Sequence, residues 1–364
     1  MTRDEETPLA QFRPTPPFTS TSRREPAAEG NTMKRLLTIA LTACFAVLAT
    51  AGAQTVLKYT HFQPGTMDQP KQAAAVAFEA CLEASSGGAF DVQIFPASQL
   101  GDAATVLEGL QLGTIELGVV HDGPIAGFFK PIEVLSMPYL FGNQEVAWTV
   151  FDGPWMERFG EAMKAETNIQ LLGVGDNGIR HFTNDVRPIR TPADLQGLKI
   201  RVQPSPIYEN LVESLGASPS AINWPELPSA LQQGVVDGQE NGVTNILAAS
   251  LYQHQKYVSL DAHVYSVHLY LMSGAFWDGL SADEQAQVQT CANIAEVIHR
   301  GMTTAQDMAA EQILSDVGME VTVLSPDEIA AFREIAQPAV EAYLREAVGD
   351  DWVVSLLEAV EAAQ

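Results

Sequence analysis

The sequence predicts an α/β protein of two lobes, and three observations carry that expectation. The stretch Gly197–Gly242 alternates strand, helix, strand, helix, strand with glycine stops between them, the rhythm of a parallel sheet covered by helices. A short pattern recurs: Leu110-Gln-Leu-Gly-Thr-Ile-Glu116 and Leu231-Gln-Gln-Gly-Val-Val-Asp237 each read as helix, glycine cap, β-branched strand and acid. Two similarly wound lobes with a crevice between them are therefore expected. The chain of 364 residues is also long enough to fill two sizeable cores.

The first 53 residues stand apart from this body. Residues 1–32 are Pro, Ser, Thr, Arg and Glu with little apolar periodicity, a composition that buries too little surface to order itself. They are read as a disordered leader, with Met33 as the natural start. Met33-Lys34-Arg35, the apolar run Leu36–Ala51 and the small residues Ala51-Gly52-Ala53 form the three regions of a secretory signal peptide over residues 33–53. Export by the Sec route to the periplasm, with cleavage after Ala53, is expected. The apolar run is too short for a spanning helix. Leu41-Thr-Ala-Cys44 resembles a lipoprotein box, but apolar residues continue past its cysteine.

Removal of these residues leaves 311 of the 364. Of 20 basic and 45 acidic side chains, 6 and 5 lie in the leader, so the body holds 14 and 40, formally −26. That field excludes nucleic acid as a partner, because phosphate contacts require cations.

Along the body, Val56–Phe62 reads as a strand and Gln69–Ser85 as a helix stopped by Gly87-Gly88. Phe90–Phe95 alternates as a strand, and the helix Thr105–Gly113 feeds the strand Ile115–Val120. The strand Ile169–Val174 leads into Asn177-Gly-Ile-Arg-His-Phe-Thr183, taken as the first crossing between lobes, and Val264–Met272 is taken as the return. Ser281 caps a helix with Asp283 and Glu284 in its first turn that runs past Met302, long enough to bridge the lobes. Ser325-Pro-Asp-Glu opens another helix, and the chain is helical to Gln364.

Within Gly197–Gly242 the expected strands are Leu198–Val202, a segment leading to Trp224, and Val235–Gly238 running out into Gln239-Glu240-Asn241. In parallel sheets the carboxyl ends of strands face the ligand crevice, which puts Arg201, Trp224 and Asn241 on one wall. An arginine in the apolar strand Ile200-Arg-Val202 is expensive unless an anion meets it, and its planar fork suits a carboxylate. A solvated sheet edge or an internal ion pair are the alternatives. Pattern alone makes Trp224 more often a core residue than a ligand contact.

GLKIRV, LGASP and the run W-x-E-x-x-x-ALQ-x-GVVDGQEN in this stretch resemble the substrate-binding proteins of tripartite ATP-independent periplasmic (TRAP) transporters, the DctP type. FPASQLGD (Phe95–Asp102) and MPYLF (Met137–Phe141) extend the likeness. It implies a type II-like periplasmic binding fold, each lobe a mixed sheet flanked by helices, with lobe I at 54–177 plus 265–304 and lobe II at 178–264 plus 305–364. It implies that Arg201 anchors a substrate carboxylate, with Arg180 as a second arginine, Asn241 as a carboxamide contact and Trp224 as an aromatic wall. Glu240 is expected to orient an arginine. The opposing lobe offers His61 and Phe62 after the first strand, Gln99 and Asp102 in the next loop, and His121 and Asp122 after the third strand. His121 followed by Pro124 departs from the pattern of sialic-acid binders. His263, Tyr265 and His268 are read as structural.

Cys81 and Cys291 remain after processing, in an oxidising compartment. The resemblance puts their helices in one lobe, so they are expected either to pair or to pack as small apolar groups. No metal spacing of Cys or His and no cofactor motif occurs. GxSxG, HExxH, Walker and GxGxxG signatures are missing, which speaks against an enzyme. The expected partners are a small organic carboxylate, such as a C4-dicarboxylate, hexuronate or other sugar or hydroxy acid, and the small and large TRAP membrane subunits, with the protein a monomer. The alternatives are a ligand-sensing module for a receptor kinase or chemoreceptor, and an ABC-type binding protein.

Overall fold

The computed structural model describes residues 54–364. The expected leader at 1–32 and signal peptide at 33–53 lie outside the described residues. Strand β1 (Thr55–Thr60), helix α1 (Pro70–Ser85), β2 (Phe90–Phe95), α2 (Ala103–Leu112), β3 (Leu117–His121) and the single turn α3 (Asp122–Ile125) begin the chain. Helices α4 (Gln144–Phe151) and α5 (Pro154–Thr167) lead to β4 (Ile169–Asn184). Then follow β5 (Lys199–Val202), α6 (Pro206–Ser214), β6 (Ser218–Ala221), α7 (Leu227–Gln232), β7 (Gly238–Gly242), α8 (Val243–Ala248) and β8 (Tyr257–Ser273). Helices α9 (Gly274–Gly279), α10 (Ala282–Met308) and α11 (Ala310–Asp316), strand β9 (Glu320–Val323), α12 (Pro326–Val348) and α13 (Asp350–Ala363) complete it.

The strands run in the order β2-β1-β3-β8-β4-β7-β5-β6, with β9 beside β8. Each half carries three parallel strands: β2, β1 and β3 in one, β6, β5 and β7 in the other. The long antiparallel strands β4 and β8 join them into one ladder. Both are largely buried along their length, so a chain crossing between halves keeps its backbone hydrogen bonds inside the sheet.

The repeated sequence pattern becomes a repeated set of bonds. Gly113 and Gly234 end their helices in the left-handed region, at φ 74° and 66°, where glycine carries no Cβ penalty. Gly113 and Gly234 donate to Leu110 and Leu231 carbonyls, and Thr114 and Val235 to those of Gly109 and Ala230. The acids then pin the neighbouring strand: Glu116 accepts from the Lys58 N–H and Asp237 from the Lys199 N–H, each at 2.8 Å.

Two expected element bounds are corrected. Val235–Asp237 is not strand; β7 is the polar Gly238–Gly242, buried throughout. Val235 is consumed in the cap of α7 and stands 45% exposed, so its β-branched side chain misled. Asn241 therefore lies inside a strand rather than past one. Asn177–Thr183 is likewise part of β4, not a segment after it. The ladder absorbs the crossing with a register shift between Asp176 and Gly178, and Gly178 supplies the φ of 97°.

Helix α10 is the long bridge. Ser281 and Glu284 form a capping box at its start, and it packs on α1 and β4 and reaches α8. Cys291 on α10 is bonded to Cys81 on α1, with Cα atoms 5.6 Å apart, inside a core that includes Tyr59, Phe78, Leu82 and Val288. Of the C-terminal helices, α12 packs on α6, whereas α13 returns to α4 and α5. The last helix thus lies against elements of the expected first lobe.

Candidate functional site

Strands β4, β7 and β5 lie side by side and bring Arg180, Asn241 and Arg201 to one cavity. Arg180 pairs in register with Gly242, and Arg201 with Gln239. The cavity is lined by Phe62, Lys71, His121, Arg180, Arg201, Trp224 and Asn241, among others. Both arginines are 1% exposed.

Their environments differ. Arg180 is forked onto Glu240: Nε and Nη2 donate to the two carboxylate oxygens, and Nη2 also to the Glu240 carbonyl. Burial opposes the Arg180 charge, but Glu240 outweighs it and holds the guanidinium above its ordinary value. Arg180 in turn keeps Glu240 below the usual carboxylate range against burial. Behind them, His263 donates or accepts at Asp261 (2.9 Å) and Glu240 (3.3 Å). Burial disfavours its charge, yet the two carboxylates raise its pKa to about 9.

Arg201 has no such partner. Nε and Nη2 donate to the Ile222 carbonyl at 2.9 and 2.7 Å, and among the described residues it enters no ion pair. Burial, partly offset by Glu240 and reinforced by Arg180, lowers its pKa to about 9. The Ile222 carbonyl fixes one edge of the fork, which leaves the Nη1/Nη2 edge as donors for an oxyanion. An uncompensated charge at this depth is costly unless an anion meets it.

From the other half of the sheet come Phe62 and His121, their rings edge to face at 5.6 Å. Burial, with Arg201, Arg180 and Lys71 nearby, lowers the His121 pKa to about 3, so it serves as a neutral hydrogen-bonding group. Trp224 spans the halves, its Nε1–H donating to the Phe62 carbonyl at 3.2 Å.

The structure places the other expected residues off the cavity wall. Glu240 lies behind Arg180. The Asp122 carboxylate accepts from Ser136, Gln203, Tyr208 and Ser266, so it positions Gln203 instead of facing the cavity. His61 is fully buried against Gln72. Asp102 caps α2 through the Thr105 N–H and receives Asn223 at 3.3 Å, while Gln99 is exposed on the loop. Gln63, Lys71, Asn177, Gln203 and Asn245 line the cavity without having been singled out, and His268, read as structural, lines it as well. One signal was available for Lys71: a cation opens the otherwise apolar helix Pro70-Lys-Gln-Ala-Ala-Ala with no acid three or four residues on.

Residues 63–346 match the family model described as bacterial extracellular solute-binding protein, family 7, the DctP family. The chain belongs to this family. A C4-dicarboxylate-binding periplasmic DctP protein of Rhodobacter capsulatus is 30% identical over 305 residues, 83% of this chain and 90% of its own. A solved TRAP periplasmic solute-binding protein from Bordetella bronchispeptica, with density assigned to pantoate, is 35% identical, has a TM-score of 0.79 and covers 84% of this chain and 99% of its own. A sugar-acid-binding protein from Advenella mimigardefordensis in complex with galactonate is 28% identical, with a TM-score of 0.81, covering 85% and 99%. This DctP-family protein is thus a TRAP-type solute-binding protein, a binding component of transport. No described helix is long and apolar enough to cross a membrane.

Proposed function

We propose that the protein is exported by its signal peptide, captures a small organic carboxylate between a lobe at 54–177 plus 265–304 and one at 178–264 plus 305–364, less the last helix α13 that lies on the first, and delivers it as a monomer to the small and large TRAP membrane subunits. The single observation that carries the carboxylate is Arg201, a buried guanidinium held by a carbonyl and, among the described residues, matched by no carboxylate. Arg180 and Asn241 stand beside it, and neutral His121 and Trp224 complete the wall. The DctP relative's dicarboxylate name and the galactonate-bound structure support the ligand class. With the body formally at −26, the long-range field repels an anion, so affinity comes from local desolvated donors worth roughly 1.5–3 kcal/mol each.

A thermal-shift screen of the exported protein against an organic-acid library tests this reading. Stabilisation by one or more carboxylates, confirmed by titration calorimetry, is expected. Stabilisation by neutral sugars or amines and by no acid would refute it.

A further inference from the structure

A second cation faces the cavity without a partner. Lys71 follows Pro70 at the start of the sixteen-residue helix α1. It is 1% exposed, its Nζ meets no acceptor among the described residues, and it lines the same cavity as Arg201. Two unfavourable effects coincide there. Burial strips the ammonium of water, and the first turn of a helix presents the positive end of its dipole, which favours an anion and disfavours a cation. Nothing local relieves either effect: the first turn holds no acid, and Gln69 makes no side-chain cap. The titratable groups facing Lys71 are the imidazoles of His61, His121, His268 and His299, each held low by burial.

We infer that Lys71 is a second ligand anchor, receiving a second anionic group, so that the cavity selects doubly charged acids over singly charged acids of the same length. The inference rests on the carboxylate reading of the cavity. Charge on the wall carries it. Arg180, Arg201 and Lys71 line the cavity, and Glu240 neutralises Arg180 alone. That leaves for the ligand the Arg201 guanidinium and the Lys71 amine, which takes a proton when an anion meets it, and a singly charged acid can engage only one of them. The helix terminus at Lys71 strengthens the preference for an anion over a hydroxyl at that end.

Proton linkage gives a separate readout. Burial lowers the Lys71 pKa well below its ordinary value, and an anion against it raises that pKa again. Binding of a dianion therefore takes up protons, and the advantage of the second charge falls as pH rises through the depressed pKa.

The test uses matched pairs in titration calorimetry: succinate against butyrate, and meso-tartrate against D-erythronate, which share the 2- and 3-hydroxyls and differ in a carboxylate replacing the terminal CH2OH. The exported protein is expected to bind the dianion of at least one pair more than tenfold tighter, with proton uptake seen by varying the buffer's ionisation enthalpy. In Lys71→Met and Lys71→Gln the preference and the proton uptake vanish, because affinity for the dianion falls toward that for its monoanion. The unliganded Lys71→Met protein melts no lower than the parent, because a buried, unpaired amine has gone. Equal or tighter binding of the monoanions overturns the role of Lys71 and leaves the carboxylate reading intact. Failure of every acid in the library overturns both.

Discussion

Replacing Arg201 by Lys keeps the charge and removes the geometry that distinguishes the site. In the parent, Nε and Nη2 hold the Ile222 carbonyl while the Nη1/Nη2 edge stays available to a ligand. A lysine has one nitrogen on a flexible stem. If it stays with Ile222 it cannot approach a carboxylate in two-point fashion; if it turns to the ligand, a carbonyl beside a buried site loses its donor. In the first case the lost charge-assisted bond costs about 1.5–3 kcal/mol, and in the second the unsatisfied buried acceptor costs about 1–3 kcal/mol. A fall of roughly 5-fold to 150-fold in affinity follows. Calorimetry with the best acid from the screen measures it, and circular dichroism and thermal melting confirm folding. An exposed ion pair at this position would be worth at most about 1 kcal/mol. A folded Arg201→Lys protein binding within fivefold of the parent would therefore remove Arg201 from the site.

Two further perturbations act on stability. Glu240→Gln leaves Arg180 charged, 1% exposed and without a carboxylate, which is expected to lower unfolding stability by about 3–5 kcal/mol; urea denaturation showing under 1 kcal/mol would mean that Arg180 finds another partner. Cys81→Ser with Cys291→Ser opens a link spanning 210 residues of sequence, for which loop entropy gives up to about 5 kcal/mol. Melting of the double variant at the parent's temperature would show that the α1–α10 core holds without the bond.

The fold was legible wherever local chemistry decided it. The capping boxes at Ser281 and Ser325 and the strand Phe90–Phe95 stand at the residues the sequence marks, because each is set by contacts within a few positions. β7 was misplaced because strand propensity describes fit to a half-buried surface. Val235-Val236 has that composition, but the sheet instead recruits Gly-Gln-Glu-Asn-Gly, whose polar groups are satisfied by partners far away in sequence, such as Arg180 and Thr183. Only the folded ladder supplies those bonds.

The same distinction governs the site. Arg201 announces itself locally, as a cation inside an apolar strand, and it lines the cavity with Arg180, Asn241, Trp224, His121 and Phe62. Asp122, His61 and Glu240 have equally suggestive sequence contexts yet turn to buried neighbours, since a short carboxylate or imidazole can be satisfied from several directions. The sequence signal at Lys71 is weak because a lysine in a first turn normally reaches solvent at little cost. Its burial depends on α1 meeting β3 and β8 at the cavity, where His121 and His268 pair in register. What makes a residue functional here is thus the mismatch between its chemistry and its surroundings. For Arg201 the strand itself displays that mismatch, whereas for Lys71 it arises only when the two halves of the sheet are joined.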